Sequence, residues 1–236
     1  MWSKEKLEAE KKSLDSIGRV SAFYREYQCE IIGDEDQLFK ESYIQYYDAY
    51  LKHKDGDAYL HFPKTEEMRA VNVFMGVDPA SSTAQTADYS TIVTIAIDKD
   101  GNRFVLPYYR QRATPMNLAE AILNQFKIYK PNKTRIESVG YQEMLREYVK
   151  KRCEEENIFI SGLEIKERPR NSKSSRLETL QPYFAQGKFY IRKDMIELRD
   201  ELLLYPRGKH DDLLDGMFYA NKGIYSPFHK DSDRDN

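Results

Sequence analysis

Apolar and polar positions alternate between two periods along this chain, and the changes of period mark out its elements. Val73 to Val77 is a short apolar run that ends on Asp78. Pro79 follows at once, so the strand cannot readily continue, and Asp78 is expected at the exposed end of a buried strand. Thr91 to Ile97 reads as a second strand and Phe104 to Tyr109 as a third, with the turn signal Asp98-Lys99-Asp100-Gly101-Asn102 between them. So short a connection makes those two strands antiparallel neighbours. Pro115 to Tyr129 places Leu118, Ala121, Ile122 and Phe126 at helical spacing, with Pro115 suited to the first turn.

The pattern continues with a short strand ending at Glu137. A helix from Gln142 to about Glu156 follows, with Leu145, Tyr148, Val149 and Cys153 on one face, and then a strand over Ile158 to Ile165. Beyond it the sequence predicts a helix over Leu177 to Gln186, a strand over Lys188 to Ile191, a helix over Met195 to Leu204, and a last helix opened by Lys209-His210-Asp211-Asp212-Leu213-Leu214-Asp215-Gly216. Three strands, helix, strand, helix, strand and then helices is the order of an α/β domain with one mixed sheet covered on both faces.

Residues 1–70 read as a separate extension, mainly helical or irregular. Lys4 to Leu14 is a charged helix with a thin seam at Leu7 and Leu14, and Phe23, Tyr24 and Tyr27 lie in an aromatic stretch after it. Tyr43, Tyr46, Tyr47 and Tyr50 follow at helix-like or mixed spacing and are expected to pack with their phenolic tips in water. Residues 71–225 form the main domain, and 226–236 form a polar, frayed tail.

Composition narrows the class. The chain has 236 residues, 40% of them hydrophobic and 32% charged, with a net charge of −2, enough to bury a core of ordinary size. Mean hydropathy is −0.76, and no apolar run approaches the roughly 20 residues of a spanning helix, so no membrane association is expected. Met1-Trp2-Ser3-Lys4-Glu5-Lys6 has no apolar core of a signal peptide. Cys29 and Cys153 fit no metal or redox spacing, which points to a reducing, intracellular setting.

Three acidic sites on three separate elements then carry the chemistry: Asp78, Glu137, and the Asp211, Asp212, Asp215 cluster. Each has an ordinary reading, as a turn former, a surface acid, or a group favouring a helix start. Together, on separate elements, they suit phosphodiester hydrolysis. That reaction needs an activated water and counter-charge for the leaving oxygen, which two Mg²⁺ or Mn²⁺ ions about 3.5–4 Å apart supply through carboxylate ligands. On a regular helix Asp212 and Asp215 share a face, whereas Asp211 points elsewhere and can cap the start. The segment Lys166 to Arg176 holds five basic residues and one acid. Lys166, Arg168, Arg170, Lys173 and Arg176 are therefore candidate contacts to DNA phosphates, or else a solvated basic loop.

Gly76-Val77-Asp78-Pro79-Ala80 with Asp88-Tyr89-Ser90 after it, Ile136-Glu137 before Gly140-Tyr141-Gln142, and Lys209-His210-Asp211-Asp212-Leu213-Leu214-Asp215 resemble the nuclease domain of the terminase large subunit, the DNA-packaging motor of tailed bacteriophages. The resemblance spans about residues 71–224. It implies a ribonuclease H-like fold of the RuvC/integrase type, with a mixed five-stranded central sheet and helices on both faces. It also implies a metal-dependent endonuclease that cuts concatemeric double-stranded viral DNA at the start and end of packaging. Asp78 resembles the first-strand metal ligand, Glu137 the fourth-strand acid, and Asp211 or Asp212 the last-helix acid. Asp215 resembles the extra acid of resolvase-like relatives. Residues Arg19 to Tyr50 are similar to the end of the packaging ATPase and its linker.

The resemblance also implies portal, small terminase subunit and an ATPase domain as partners of a longer parent protein in the host cytoplasm. No Gly-x-x-x-x-Gly-Lys-Ser/Thr occurs here, so a fragment without ATPase activity is expected. The rival readings are a Holliday-junction resolvase or transposase of the same fold, and a non-catalytic domain docking on DNA, a motor or portal. A sugar-kinase-like ATPase lacks its glycine-rich loops.

Overall fold

A computed structural model describes residues 3–16, 37–80, 89–138, 142–160, 163–167 and 172–227. Its centre is strand β4 (Glu67–Asp78), which pairs antiparallel with β5 (Ser90–Asp98) and parallel with β8 (Lys133–Ser138). β8 pairs parallel with β9 (Leu163–Glu167). On the far side, β5 carries both β6 (Arg103–Val105) and β7 (Tyr109–Gln111), each antiparallel. This is the mixed sheet the element order predicts.

The sheet is wider than expected. β1 (Gln45–Tyr46) and β10 (Phe189–Ile191) add parallel strands beyond β6, and the hairpin of β2 (Tyr50–Lys54) and β3 (Asp57–Phe62) adds to the front half of β4. Ten strands result among the described residues. Residues 45–70 are thus largely extended, which corrects the helical or irregular reading of that region. Tyr50, Leu51, Lys52, His53 and Lys54 alternate exposed and half-buried, the period of a one-sided strand. Asp55 and Gly56 supply the positive φ of its turn. The expectations for 19–32 lie outside the described residues.

Helices cover both faces. α2 (Pro115–Tyr129) is capped by Thr114, whose hydroxyl accepts from the Asn117 N–H, and it buries Leu118, Ile122 and Leu123. With Leu145 and Val149 of α3 (Gln142–Glu155), it closes over Met75, Val77, Ile92 and Ile136 on one face. The other face takes α4 (Lys173–Glu178), α5 (Gln181–Ala185), α6 (Ile196–Leu204) and α7 (Asp212–Asn221) over Val93, Ile95 and Val105. α1 (Lys4–Ser16) rests Leu7 against that layer, and its Lys11 pairs with Asp200.

Three element boundaries differ from the sequence reading. The expected third strand splits into β6 and β7 because Pro107 between them has no N–H to give the ladder. The helix expected over 177–186 divides because Pro182 cannot sit mid-helix without striking the carbonyl a turn earlier; it stands instead in the first turn of α5. The last parallel strand starts later than expected, at Leu163, and Phe159 is left exposed. The helix 195–204 and the strand 188–191 form within a residue of the expected ends.

Candidate functional site

Two strand ends and one helix start meet on the face covered by α7. Val77 lies opposite Ile136 in the parallel β4–β8 register, so Asp78 and Glu137 follow one step on at the same end of the sheet. Val77 and Ile136 point into the α2–α3 layer, which turns Asp78 and Glu137 to the other face by strand alternation. α7 is drawn onto that face unusually closely. A Cβ at Gly76 would lie 2.2 Å from the Ala220 N and from the Gly216 O, and one at Gly216 would lie 2.8 Å from Thr91 Oγ1. Two glycines, one on the strand and one on the helix, let the backbones approach. The Thr91 hydroxyl also donates to the Asp212 carbonyl at 2.9 Å, tying the first turn of α7 to β5.

This contact brings Asp215 to Asp78 and Glu137. Burial holds the Asp78 carboxyl well above the ordinary range, and a hydrogen bond to Glu137 and the nearby Asp215 charge add to the effect. Asp215 is raised as well, by burial first, against the lowering effect of Lys173 and Arg176.

Two cations from α4 stand among these acids. The Lys173 ammonium lies 2.6 Å from Asp211 Oδ1 and 2.6 Å from Asp215 Oδ2. Arg176 lies 3.6 Å from Glu137 Oε1 and 3.5 Å from Asp215 Oδ1, and donates to the Tyr219 hydroxyl at 2.9 Å. Tyr219 also bonds Glu137, and burial raises its hydroxyl far above the usual tyrosine value. Asp211, Asp215 and Tyr219 recur every four residues, so one edge of α7 carries all three.

The sequence-predicted residues therefore divide. Asp78, Glu137 and Asp215 converge, and Asp211 joins them through Lys173. Asp212 turns away: its Oδ2 lies 3.7 Å from His210 Nδ1 and 3.9 Å from the Arg110 guanidinium. The expected pairing of Asp212 with Asp215 on one face is corrected to Asp211 with Asp215, because the Lys173 ammonium gathers those two. Nor does Asp211 cap α7 with its side chain. Glu201 of α6 does so instead, accepting from the Leu213 N–H at 2.9 Å.

Among the expected DNA contacts, Arg176 is 3% exposed and serves the acid cluster, so it does not face a duplex. Lys173 is half-buried in the same cluster. Lys166 lies in β9, opposite Glu137 in the register. Arg168 and Arg170, like Asp88, Gly140 and Tyr141, lie outside the described residues. Sequence reasoning missed Arg110, Glu201 and Tyr219. For Tyr219 a signal existed in its four-residue spacing from Asp215. For Glu201 none did, since an acid inside a helix reads as solvent-facing.

A hard divalent cation fits this donor set by its chemistry. The acids are carboxylates, burial and mutual crowding raise Asp78 among them, and the buried Asp215 Oδ1 has no hydrogen-bond partner. Among the described residues, however, no three acidic, histidine or cysteine side chains are arranged to hold a metal as they stand. Lys173 and Arg176 supply the positive charge instead.

The chain matches the model of the family described as "Terminase RNaseH-like domain" over residues 75–222. No curated protein matches it. Among solved structures it resembles the large terminase nuclease of thermophilic phage G20c, at 16% identity and a TM-score of 0.53, over 80% of this chain and 99% of that one. The same nuclease with bound magnesium gives a TM-score of 0.51 at 16% identity, over 78% and 95% of the two chains. The large terminase of another thermophilic bacteriophage matches over 95% of this chain but only 53% of its own, at 10% identity and a TM-score of 0.50. At such identities these likenesses speak for the fold.

Proposed function

Because the chain belongs to the terminase RNase H-like domain family, with the ribonuclease H-like fold, we propose that it is the metal-dependent endonuclease domain of a DNA-packaging terminase large subunit. The observation that carries this reading is the meeting of Asp78, Glu137 and Asp215 at one end of the sheet, where burial, Glu137 and the Asp215 charge raise the Asp78 carboxyl well above the ordinary range. Asp78, Glu137, Asp215 and Asp211 would hold Mg²⁺ or Mn²⁺. Bound there, such ions supply Lewis-acid charge for the attacking water and the leaving oxygen.

The chain's own residues set the conditions for that chemistry. Asp78 and Glu137, one step beyond the paired Val77 and Ile136, would offer such an ion oxygen donors side by side. The Tyr219 hydroxyl and the Arg176 guanidinium hold Glu137 and Asp215 in place from below. Lys173 and the basic segment around Lys166, Arg168 and Arg170 contact duplex phosphates, so cutting has little sequence preference. The substrate is concatemeric double-stranded viral DNA, cut when packaging begins and ends in the host cytoplasm. Portal, small terminase subunit and an ATPase domain are partners of the full-length protein, and residues before 71 connect to that ATPase. Among the described residues no helix is long and apolar enough to cross a membrane.

Purified protein incubated with linear, supercoiled and four-way DNA in Mg²⁺, Mn²⁺ or EDTA tests the reading. Chelator-sensitive cutting of linear and supercoiled duplex is the expected result. Exclusive cutting of four-way junctions would instead make it a resolvase, and activity unaffected by EDTA would remove the metal.

A further inference from the structure

We infer that Lys173 is a built-in counter-ion, holding the acids of the site together in the absence of a divalent cation and giving way when one binds. The inference rests on the metal-binding reading above and adds to it a residue that sets how tightly the free protein takes the ion. Its ammonium sits 2.6 Å from both Asp211 and Asp215, bridging the two acids on one edge of α7. A single monovalent cation thus stands where the site's negative charge is concentrated. The rest of the positive charge is fixed: Arg176 is 3% exposed and hydrogen-bonded to Tyr219.

Lys173 differs from Arg176 in being movable. Its side chain is 34% exposed, and it occupies the first residue of α4, whose start is secured by Ser172 accepting from the Ser175 N–H. A lysine ammonium is a strongly hydrated charge on a flexible stem, so it can leave two carboxylates for water without disturbing the helix. The exchange offsets charge locally: a divalent cation enters between Asp211 and Asp215 as the Lys173 ammonium leaves them. Freed from Asp211 and Asp215, the ammonium is placed to meet a phosphate. Metal binding and substrate binding are thereby linked, which restrains the free protein from loading metal before DNA is present.

Calorimetric titration of Mn²⁺ into DNA-free protein tests this without reference to cutting. Lys173→Gln removes the competing charge and is expected to bind Mn²⁺ about tenfold more tightly than wild type. Lys173→Arg, which keeps the charge, is expected to stay near wild type or bind more weakly, and Asp215→Asn to bind more weakly than either. Melting curves confirm that each variant is folded, with Lys173→Met as the substitute if the glutamine variant melts early. Equal or weaker binding by Lys173→Gln, with Asp215→Asn still impaired, overturns the counter-ion role and leaves the metal site standing. No saturable Mn²⁺ binding by wild type and Lys173→Gln alike overturns the metal site, and the counter-ion role with it.

Discussion

The Asp215 carboxylate faces Lys173 at 2.6 Å and Arg176 at 3.5 Å, while its neighbour one turn back, Asp212, faces His210 and Arg110. The two acids sit on the same short helix and have different surroundings, so they have different roles. Asp215→Asn is expected to lower DNA cutting by about a hundredfold or more, the scale of losing a group that stabilises developing charge. Asp212→Asn is expected to cost less activity and to act through the packing of α7. Parallel cutting rates and melting temperatures of the two variants check this ordering. Glu201 is a second residue with an unusual setting. Burial pushes its carboxyl up to about 8 from an ordinary 4.5, Asp212 adds to the rise, and Arg110 and the Leu213 N–H oppose it. Its proton is held more tightly in the folded than in the unfolded chain. Its contribution to stability is therefore full below about pH 4.5, declines as pH rises toward 8, and is flat beyond. Glu201→Gln should remove a loss on the order of 3 kcal/mol between pH 5 and pH 9, read as a smaller fall in melting temperature than wild type shows.

The seam between β4 and α7 positions the site at the next scale up. Gly76 and Gly216 leave no room for a methyl group between strand and helix, and the Cβ of an alanine at 76 would strike main-chain atoms at 2.2 Å. Gly76→Ala is expected to destabilise the fold by about 3 kcal/mol through overpacking and to move Asp215 away from Asp78. Chemical denaturation reads the first effect and Mn²⁺ titration the second. Much of this framework is legible in the sequence. The apolar run 73–77 ending on Asp78, the helix 115–129 with its N-terminal Pro115, and the acid at the end of β8 all follow from local periodicity. The hairpin of β2 and β3 does not, because its strands are half-exposed and tyrosine-rich, and only pairing with β4 makes them extended. The orientation of Asp211 and Asp212 is likewise not local. Helical spacing allows either Asp211, four residues from Asp215, or Asp212, three residues from it, and it takes a lysine from another helix to select Asp211. Glu201 as the cap of α7 arises from the packing of two helices and leaves no trace in either one's sequence.

At the scale of the whole molecule, one sheet joins the region before residue 71 to the rest. β4 runs from Glu67 to Asp78, paired with the hairpin along its first half and with β8 along its second. The strand that carries the first acid therefore also anchors the preceding segment. A pull or twist applied through that segment would reach Asp78 along a continuous hydrogen-bonded ladder. The α2–α3 layer on one face and the α4–α7 layer on the other leave the acid cluster at the sheet end where β4 and β8 both finish, the usual place for a site in an α/β sheet with parallel strands. Acids far apart in sequence act there as one group. The most direct measurement is plasmid cutting by purified Asp78→Asn in Mg²⁺ and in Mn²⁺, alongside its circular dichroism. A folded protein that no longer cuts with either ion is expected; a folded variant that cuts at the wild-type rate would show that Asp78 is not part of the reacting site.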